Sequence, residues 1–466
     1  MSRLIVISNR VTMPTGPAAA SAGGLAMALA AALQEYRGVW FGWSGKTTPE
    51  FTGQLSVARE SGVTVATVDL AEQDVQEYYN GFANETLWPL CHYRLDLTAF
   101  ERSFGQGYDR VNARLAETVR PLIEPDDLIW VHDYHLIPLA RELRRLGVKN
   151  RIGFFLHIPW PARQLVSALP RHRQLVESMF DYDLIGFQTD DWLQPFHHYL
   201  VHEVDGEVLP GGRVRAFGRT IVAGSFPIGI DKAFREIAFG PEAEESRERT
   251  LASTPDRSLI VGVDRLDYSK GLEERFVAYE QFLADNPDWR ERVQLLQIAP
   301  PSREEVGAYQ NIRASLEAAT GRINGAFGTV DWTPVRYVNR AHARDTLAGI
   351  YSAARVGLVT PLRDGMNLVA KEYVAAQRPE DPGVLILSRF AGAALQMKDA
   401  LIVNPYSRED VSEALKRALS MELGERKRRW EALMHGVRTE DVEAWRDRFV
   451  DALTRSREPE VVSSAA

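Results

Sequence analysis

Four charged side chains around two loops have the types and spacing for leaving-group chemistry. Arg265 and Lys270 lie in DRLDYSKG, Asp264–Gly271, directly after the apolar run Leu259–Val263. Asp364 lies in PLRDGMN, after the apolar run Val356–Thr360, and Glu372 in the helix-like LVAKEYVAAQ that follows. If the first loop folds back, Arg265 and Lys270 converge on one ligand. Fixed cations there neutralise the charge growing on a departing diphosphate, a role otherwise filled by magnesium. Isolated Arg and Lys are more often surface ion-pair members, but a loop at a strand end favours a site. Asn367 is suited to cap the following helix, so the first backbone N–H groups from Leu368 face the loop and favour an anion. Carboxylates repel a diphosphate, so hydroxyls are their natural targets: a donor hexose for Asp364 and a nucleotide ribose for Glu372. Gly365 permits close backbone approach.

The first half of the chain offers a second group of loops. WVHDYHLIP, Trp130–Pro138, sets His132, Asp133, Tyr134 and His135 after an apolar run, and FFLHIPWP sets His157 after another. Their spacing is not that of a helix-borne zinc site. A carboxylate and imidazoles at strand ends instead bond sugar hydroxyls and stabilise positive charge developing near an anomeric carbon. SNR, Ser8–Arg10, closes the opening apolar run, and SAGGL, with Gly23 and Gly24, precedes a helix-period segment. Paired glycines let backbone N–H groups approach an anion. EYYNGFANETLWP, Glu77–Pro89, mixes aromatic and amide side chains as sugar-binding loops do. Two familiar nucleotide motifs fail. WFGWSGKT has Trp40 where a Walker loop needs glycine, and Gly105-Gln-Gly107 follows no apolar run and ends on Arg110. Neither a nucleotide triphosphatase nor a dehydrogenase has its usual support.

Short apolar runs followed by polar loops and helix-period segments must position these residues. One series comprises Leu4–Ile7, Leu128–Val131, Ile152–Leu156 and Leu184–Phe187; another comprises Leu259–Val263, Val293–Ile298, Val356–Thr360, Val384–Leu387 and Leu401–Val403. Runs of this kind suit strands buried on both faces, and the alternation with helices implies parallel sheets of βαβ units. The class is α/β. At 466 residues the chain exceeds what one core usually serves. The expected division is a first domain over 1–240, a second over 241–440, a helix over 441–455 packing back on the first, and a disordered tail over 456–466. Hydrophobic residues at 45% and charged residues at 25% match ordinary globular usage, which excludes a fibrous or disordered chain. The net charge of -8 gives no general attraction to nucleic acid or anionic membranes. No apolar run approaches the roughly 20 residues needed to span a bilayer. The single cysteine, Cys91, excludes an internal disulfide and a Cys-based zinc site. With no signal-peptide pattern in MSRLIVISNR, the expected setting is cytoplasmic.

DRLDYSKG and PLRDGMNLVAKEYVAAQ together closely resemble the trehalose-6-phosphate synthases, a retaining glycosyltransferase family. The likeness covers nearly the whole chain and includes SNR, SAGGL, FGWSG, EYYNGFAN, LWP, HDYHL, IGFFLHIPWP, QIAPPSR and GRINGAFG. It implies a GT-B type fold: two Rossmann-like domains with a ligand cleft between them. It also implies transfer of glucose from a nucleotide-glucose, UDP-glucose first, to glucose 6-phosphate. Carried over by residue, Arg10, Tyr79, Asp133 and Arg303 would hold glucose 6-phosphate, with Trp88 shaping the acceptor site. Gly23, Gly24, Arg265, Lys270 and the run Gly365, Met366, Asn367, Leu368, Val369, Ala370, Lys371 and Glu372 would bind the donor. His157 and Asp364 would contact the donor glucose. His342, in RYVNRAH, stands where better-known members can have an aromatic residue near the base, so the preferred base stays open. Retention without an enzyme nucleophile implies front-face attack, with no metal or other cofactor. A homodimer or tetramer is expected. The alternatives are a pseudo-glycosyltransferase that couples cyclitols and a sugar-phosphate-binding regulator that has lost catalysis.

Overall fold

The computed structural model describes residues 3–11, 33, 38–60, 63–303 and 305–457. Gly23, Gly24 and the tail beyond residue 457 lie outside them. The chain divides into two compact units. One takes the described residues up to Pro227 together with those from Trp445 onward, and the other runs from Ile228 to Ala444.

Ten strands form the sheet of the first unit among the described residues. They are β1 (Leu4–Arg10), β2 (Val39–Thr48), β3 (Leu55–Glu60), β4 (Val63–Ala71), β5 (Leu128–His132), β6 (Ile152–Phe155), β7 (Leu184–Phe187), β8 (Glu207–Leu209), β9 (Arg213–Ala216) and β10 (Arg219–Ser225). Their order is β3-β4-β2-β1-β5-β6-β7-β10-β9-β8. The central pairs are parallel, with Ile5 beside both Val39 and Ile129; β3 on β4, and the β8-β9-β10 meander, are antiparallel. Every residue of β5, β6 and β7 is buried, which is why their sequences read as unbroken apolar runs. The last helix, Val442–Arg455, lays Phe449 against Trp130, with ring centroids 4.5 Å apart and planes 11° apart. That ring explains two glycines: a Cβ on Gly153 or Gly186 would come within 2.8 Å of it.

The second unit has six strands among the described residues: β11 (Ser258–Val263), β12 (Val293–Ile298), β13 (Val335–Val338), β14 (Val356–Val359), β15 (Val384–Ser388) and β16 (Leu401–Val403). All are parallel, in the order β13-β12-β11-β14-β15-β16. This is the doubly wound 3-2-1-4-5-6 order, and the first sheet repeats it in β4-β2-β1-β5-β6-β7. The strand order reverses between β1 and β5 in one unit, and between β11 and β14 in the other. Loops leaving the carboxyl ends of strands at such a reversal form the natural ligand crevice of an open α/β sheet. Among the described residues no helix is long and apolar enough to cross a membrane.

Candidate functional site

In the first unit, β1 ends on Arg10, an exposed cation whose guanidinium carbon lies 5.8 Å from the Trp43 ring centroid. Asp133 follows β5 directly. Its backbone sits at φ 75°, ψ 165°, a region that disfavours a side chain, as strained backbone at functional sites often does. Its N–H donates to Phe155 O at 2.8 Å, and its carboxylate accepts the His157 N–H at 3.2 Å. The ends of β5 and β6 are thereby tied together, with Asp133 and His157 side by side.

Val75–Leu87 forms a π-type helix, the wide i→i+5 form rarely kept for more than a turn. It carries Tyr79, whose ring lies edge-on to Trp43 at 5.6 Å and nearly parallel to His135 at 5.8 Å. Buried bonds fix the helix: Tyr78 Oη donates to Asn9 Oδ1 at 2.8 Å, and Tyr134 Oη to Asn84 Oδ1 at 2.9 Å. Trp88 is packed rather than presented, 4% exposed and stacked on His92 at 4.2 Å.

His157 and His132 form a stacked pair, with His157 Nε2 3.0 Å from His132 Nδ1. Burial pushes the His157 imidazole down to about 3, and His132 well below its ordinary value, with the proximity of His157 adding to the effect. Both rings are neutral at pH 7. The other His157 nitrogen, Nδ1, lies 3.4 Å from Gln188 Nε2.

In the second unit the loop after β11 is shaped by a buried guanidinium. Arg275 donates to Asp264 Oδ2 at 2.7 Å, Gln297 Oε1 at 2.8 Å and Thr360 Oγ1 at 3.0 Å, linking the ends of β11, β12 and β14. Burial raises the Asp264 carboxyl, and Arg275 opposes the rise. Gly271 sits at φ 64°, and a Cβ there would lie 2.3 Å from Thr360 O, so the loop closes against β14 only with glycine. The reversal of the strand order thus brings together the two loops singled out by charge. Lys270 Nζ donates to Asp364 Oδ2 at 2.6 Å, and Asn367 Nδ2 donates to the same oxygen at 3.1 Å. Arg265 is exposed on the same loop, whereas Lys270 is turned inward onto Asp364.

Asn367 is the N-cap of the helix Leu368–Ala376, its Oδ1 accepting the Ala370 N–H at 3.1 Å. Before it, Met366 is buried and its carbonyl accepts the Ala393 N–H at 2.8 Å. The Lys371 ammonium bonds inward to Ile228 O and Gln396 Oε1, each at 2.7 Å. Burial lifts the Glu372 carboxyl to about 7, with Arg344 opposing the rise and Asp231 assisting it. Those two neighbours pair with each other at 2.6 Å. His342, between β13 and the helix Arg344–Ala353, is half-buried, and burial with nearby Arg340 lowers it.

Arg303 belongs to this second unit. At φ 51° it reaches Asp267 Oδ2 at 3.3 Å and bonds Tyr309 Oη, which donates to the same carboxylate at 3.0 Å. Asp267 is fully buried and also accepts the Ser269 N–H at 2.9 Å, so Arg303 is fixed one residue from the Lys270 turn. Sequence reasoning missed Asp264, Asp267, Arg275, Gln188 and Tyr309. Asp264, Asp267 and Arg275 fall within twelve residues and Gln188 and Tyr309 lie far from them, all in ordinary local contexts; only the strand-end position of Asp264 and Asp267 offered a signal. Among the described residues no cluster of three or more His, Cys, Asp or Glu side chains is placed to hold a metal ion.

The model of glycosyltransferase family 20 matches residues 5–455. A trehalose-6-phosphate synthase of Sinorhizobium fredii is 51% identical over 459 residues, spanning 98% of this chain and 99% of its own. The crystal structure of an α,α-trehalose-phosphate synthase (UDP-forming) from Burkholderia xenovorans in complex with glucose-6-phosphate superposes with a TM-score of 0.93 at 50% identity, covering 97% of this chain and 100% of that one. An E. coli structure described as trehalose-6-phosphate bound with UDP-2-fluoro glucose gives 0.93 at 47% identity, over 97% and 99% of the two chains. The two doubly wound sheets, the residues gathered at their strand-order reversals and a match over nearly the full length agree, and the chain belongs to glycosyltransferase family 20.

Proposed function

We propose that this glycosyltransferase moves glucose from UDP-glucose to glucose 6-phosphate, forming α,α-trehalose 6-phosphate and releasing UDP. The observation that carries the reading is the Lys270–Asp364–Asn367 grouping at the strand-order reversal of the second sheet. It occurs in a chain about half identical to relatives named for this product. Structures of similar proteins hold glucose-6-phosphate and a fluorinated UDP-glucose. The cyclitol-coupling and inactive-regulator alternatives are not favoured by these neighbours.

In this reading Arg10, Tyr79, Trp88, Asp133 and Arg303 serve the acceptor. Gly23, Gly24, Arg265, Lys270, His342 and the run from Asp364 to Glu372 serve the donor. The bond from the anomeric carbon to the diphosphate oxygen breaks, and the acceptor hydroxyl attacks the same face. Its proton passes to the departing diphosphate. Arg265, Lys270 and the capped helix start stabilise the negative charge that develops there. His157 is neutral, so it supports the positive anomeric centre by its carbonyl or its uncharged ring rather than as an imidazolium. Asp364 bonds the donor hexose once a ligand phosphate takes over Lys270. A cytoplasmic homo-oligomer belongs to the same reading. The test is direct: the purified chain with UDP-glucose and glucose 6-phosphate should release UDP in step with a phosphorylated non-reducing disaccharide, and no release would refute it.

A further inference from the structure

A cavity of about 520 Å3 opens in the first unit, within the usual range for small-molecule sites, and none of the residues assigned above to donor or acceptor lines it. Phe82, Tyr108 and Leu175 contribute its apolar wall. Its charged side is built around Asp109. Arg171 Nη2 lies 3.0 Å from one oxygen of this carboxylate, and Arg141 Nη2 lies 3.9 Å from the other. Glu101 and Arg102 add one charge of each sign, so the lining carries one more cation than anion. Arg171 holds a left-handed backbone, φ 63°, which ordinarily disfavours a side chain, and Gln174 Oε1 braces its guanidinium at 2.6 Å. Arg141 is also paired with Glu142 Oε1 at 3.2 Å, so Arg171 is the guanidinium that Asp109 chiefly holds, and an apolar wall facing it suits a ligand with an oxyanion at one end and a hydrocarbon body at the other.

The wall leads toward the acceptor residues. Tyr108 Oη donates to Tyr134 O at 2.6 Å, one residue from Asp133. The Tyr108 ring stacks on Tyr78 at 5.9 Å and lies 4.4 Å from Phe82, both on the helix that carries Tyr79. We propose that this cavity is a regulatory site for a small organic anion, a carboxylate or phosphate monoester on an apolar body. The anion replaces Asp109 at Arg171, and the body covers Phe82 and Leu175. Its effect on the acceptor rests on the function proposed above; its binding does not.

Gly105 supplies a clean block. It lies within the helix Arg102–Val119 and lines the cavity, and a Cβ there would meet nothing nearer than Phe82 at 3.8 Å. Titration calorimetry on the full chain, with phenyl phosphate, benzoate and inorganic phosphate as probes, tests the site. Phenyl phosphate or benzoate should bind, whichever is tighter identifying the anion, and inorganic phosphate should bind more weakly than the better of the two. Gly105→Leu and Arg171→Gln should each weaken binding of the better probe by about tenfold or more, with the folded state intact by calorimetric melting. Saturating UDP and glucose 6-phosphate should not displace it, and the bound probe should shift the acceptor KM of the parent chain but not of Gly105→Leu. Binding that both variants leave unchanged, displacement by the two substrates, or no binding of either organic probe to the folded chain would overturn the proposal. A chain that binds a probe as described yet releases no UDP would instead overturn the function and leave this site standing.

Discussion

Replacing Lys270 by alanine removes the cation 2.6 Å from Asp364 Oδ2, where the two side chains are only 11% and 16% exposed. Two consequences follow from the same contact. Asp364 keeps the Asn367 amide but loses its counter-charge in a poorly hydrated position, which costs about 3 kcal/mol, the lower end for breaking a buried ion pair. For a unit of this size that lowers Tm by about 6–12 °C. Turnover should fall further, by about 100- to 1,000-fold or more, because a fixed donor is lost where charge develops on the leaving diphosphate. The double variant Lys270→Ala/Asp364→Asn separates the effects. Neutralising the stranded carboxylate should recover most of the melting temperature and none of the turnover. Calorimetric melting and a UDP-release assay on wild type, Lys270→Ala and the double variant provide the comparison. A single variant that keeps turnover within about threefold of wild type refutes the assigned role, and an unchanged melting temperature refutes the structural half of the reasoning.

Arg303→Ala should raise the KM for glucose 6-phosphate at least about tenfold with little change in the donor KM; an unchanged acceptor KM contradicts its assignment. Glu372, lifted to about 7, should accept a ribose hydroxyl more strongly when ionised, so the donor KM should fall, by up to about tenfold, from pH 6 to pH 8 and lose that dependence in Glu372→Gln. The sign for stability is opposite: a raised carboxyl favours the folded chain below its ordinary value of 4.5, and that contribution is lost as pH rises through about 7. Glu372→Gln should therefore lose less melting temperature than the parent between acid and pH 8, which calorimetry reads directly. His132→Phe removes the bond that orients the His157 ring and should lower kcat by about tenfold with both KM values nearly unchanged. Nitrogen chemical shifts should show no protonation of His157 between pH 5 and pH 8, since burial holds it near 3.

The strand-end loops were legible because buried parallel strands leave an unmistakable mark. Leu259–Val263 and Val356–Thr360 are short, apolar and followed at once by charged, glycine-bearing turns. Asn367 was readable as a cap because a short amide before a helical run has few other uses. Arg303 was not readable from its own surroundings, and only resemblance nominated it. PPSREEV looks like a helix entry, and the partners that fix Arg303, Asp267 and Tyr309, lie 36 and 6 residues away. The same holds for Arg275, a charged residue within an ordinary helical pattern whose four acceptors are spread over the ends of three strands. EYYNGFANETL showed no clear period for a physical reason: a π-type helix does not repeat at 3.6 residues, so neither helix nor strand spacing fits it. The β8–β10 meander is short and only partly buried, without the apolar runs that marked the central strands.

The central claim is coupled, retaining transfer between two named sugars, and one measurement reaches it. Proton NMR of the purified chain with UDP-glucose and glucose 6-phosphate follows UDP, the donor anomeric signal and any new disaccharide together. The account requires UDP to appear in step with a product whose two anomeric protons both show the small coupling of the α configuration. It also requires UDP formation to stop when glucose 6-phosphate is omitted. Free glucose released without an acceptor, a β-linked product, or no reaction at all would contradict it.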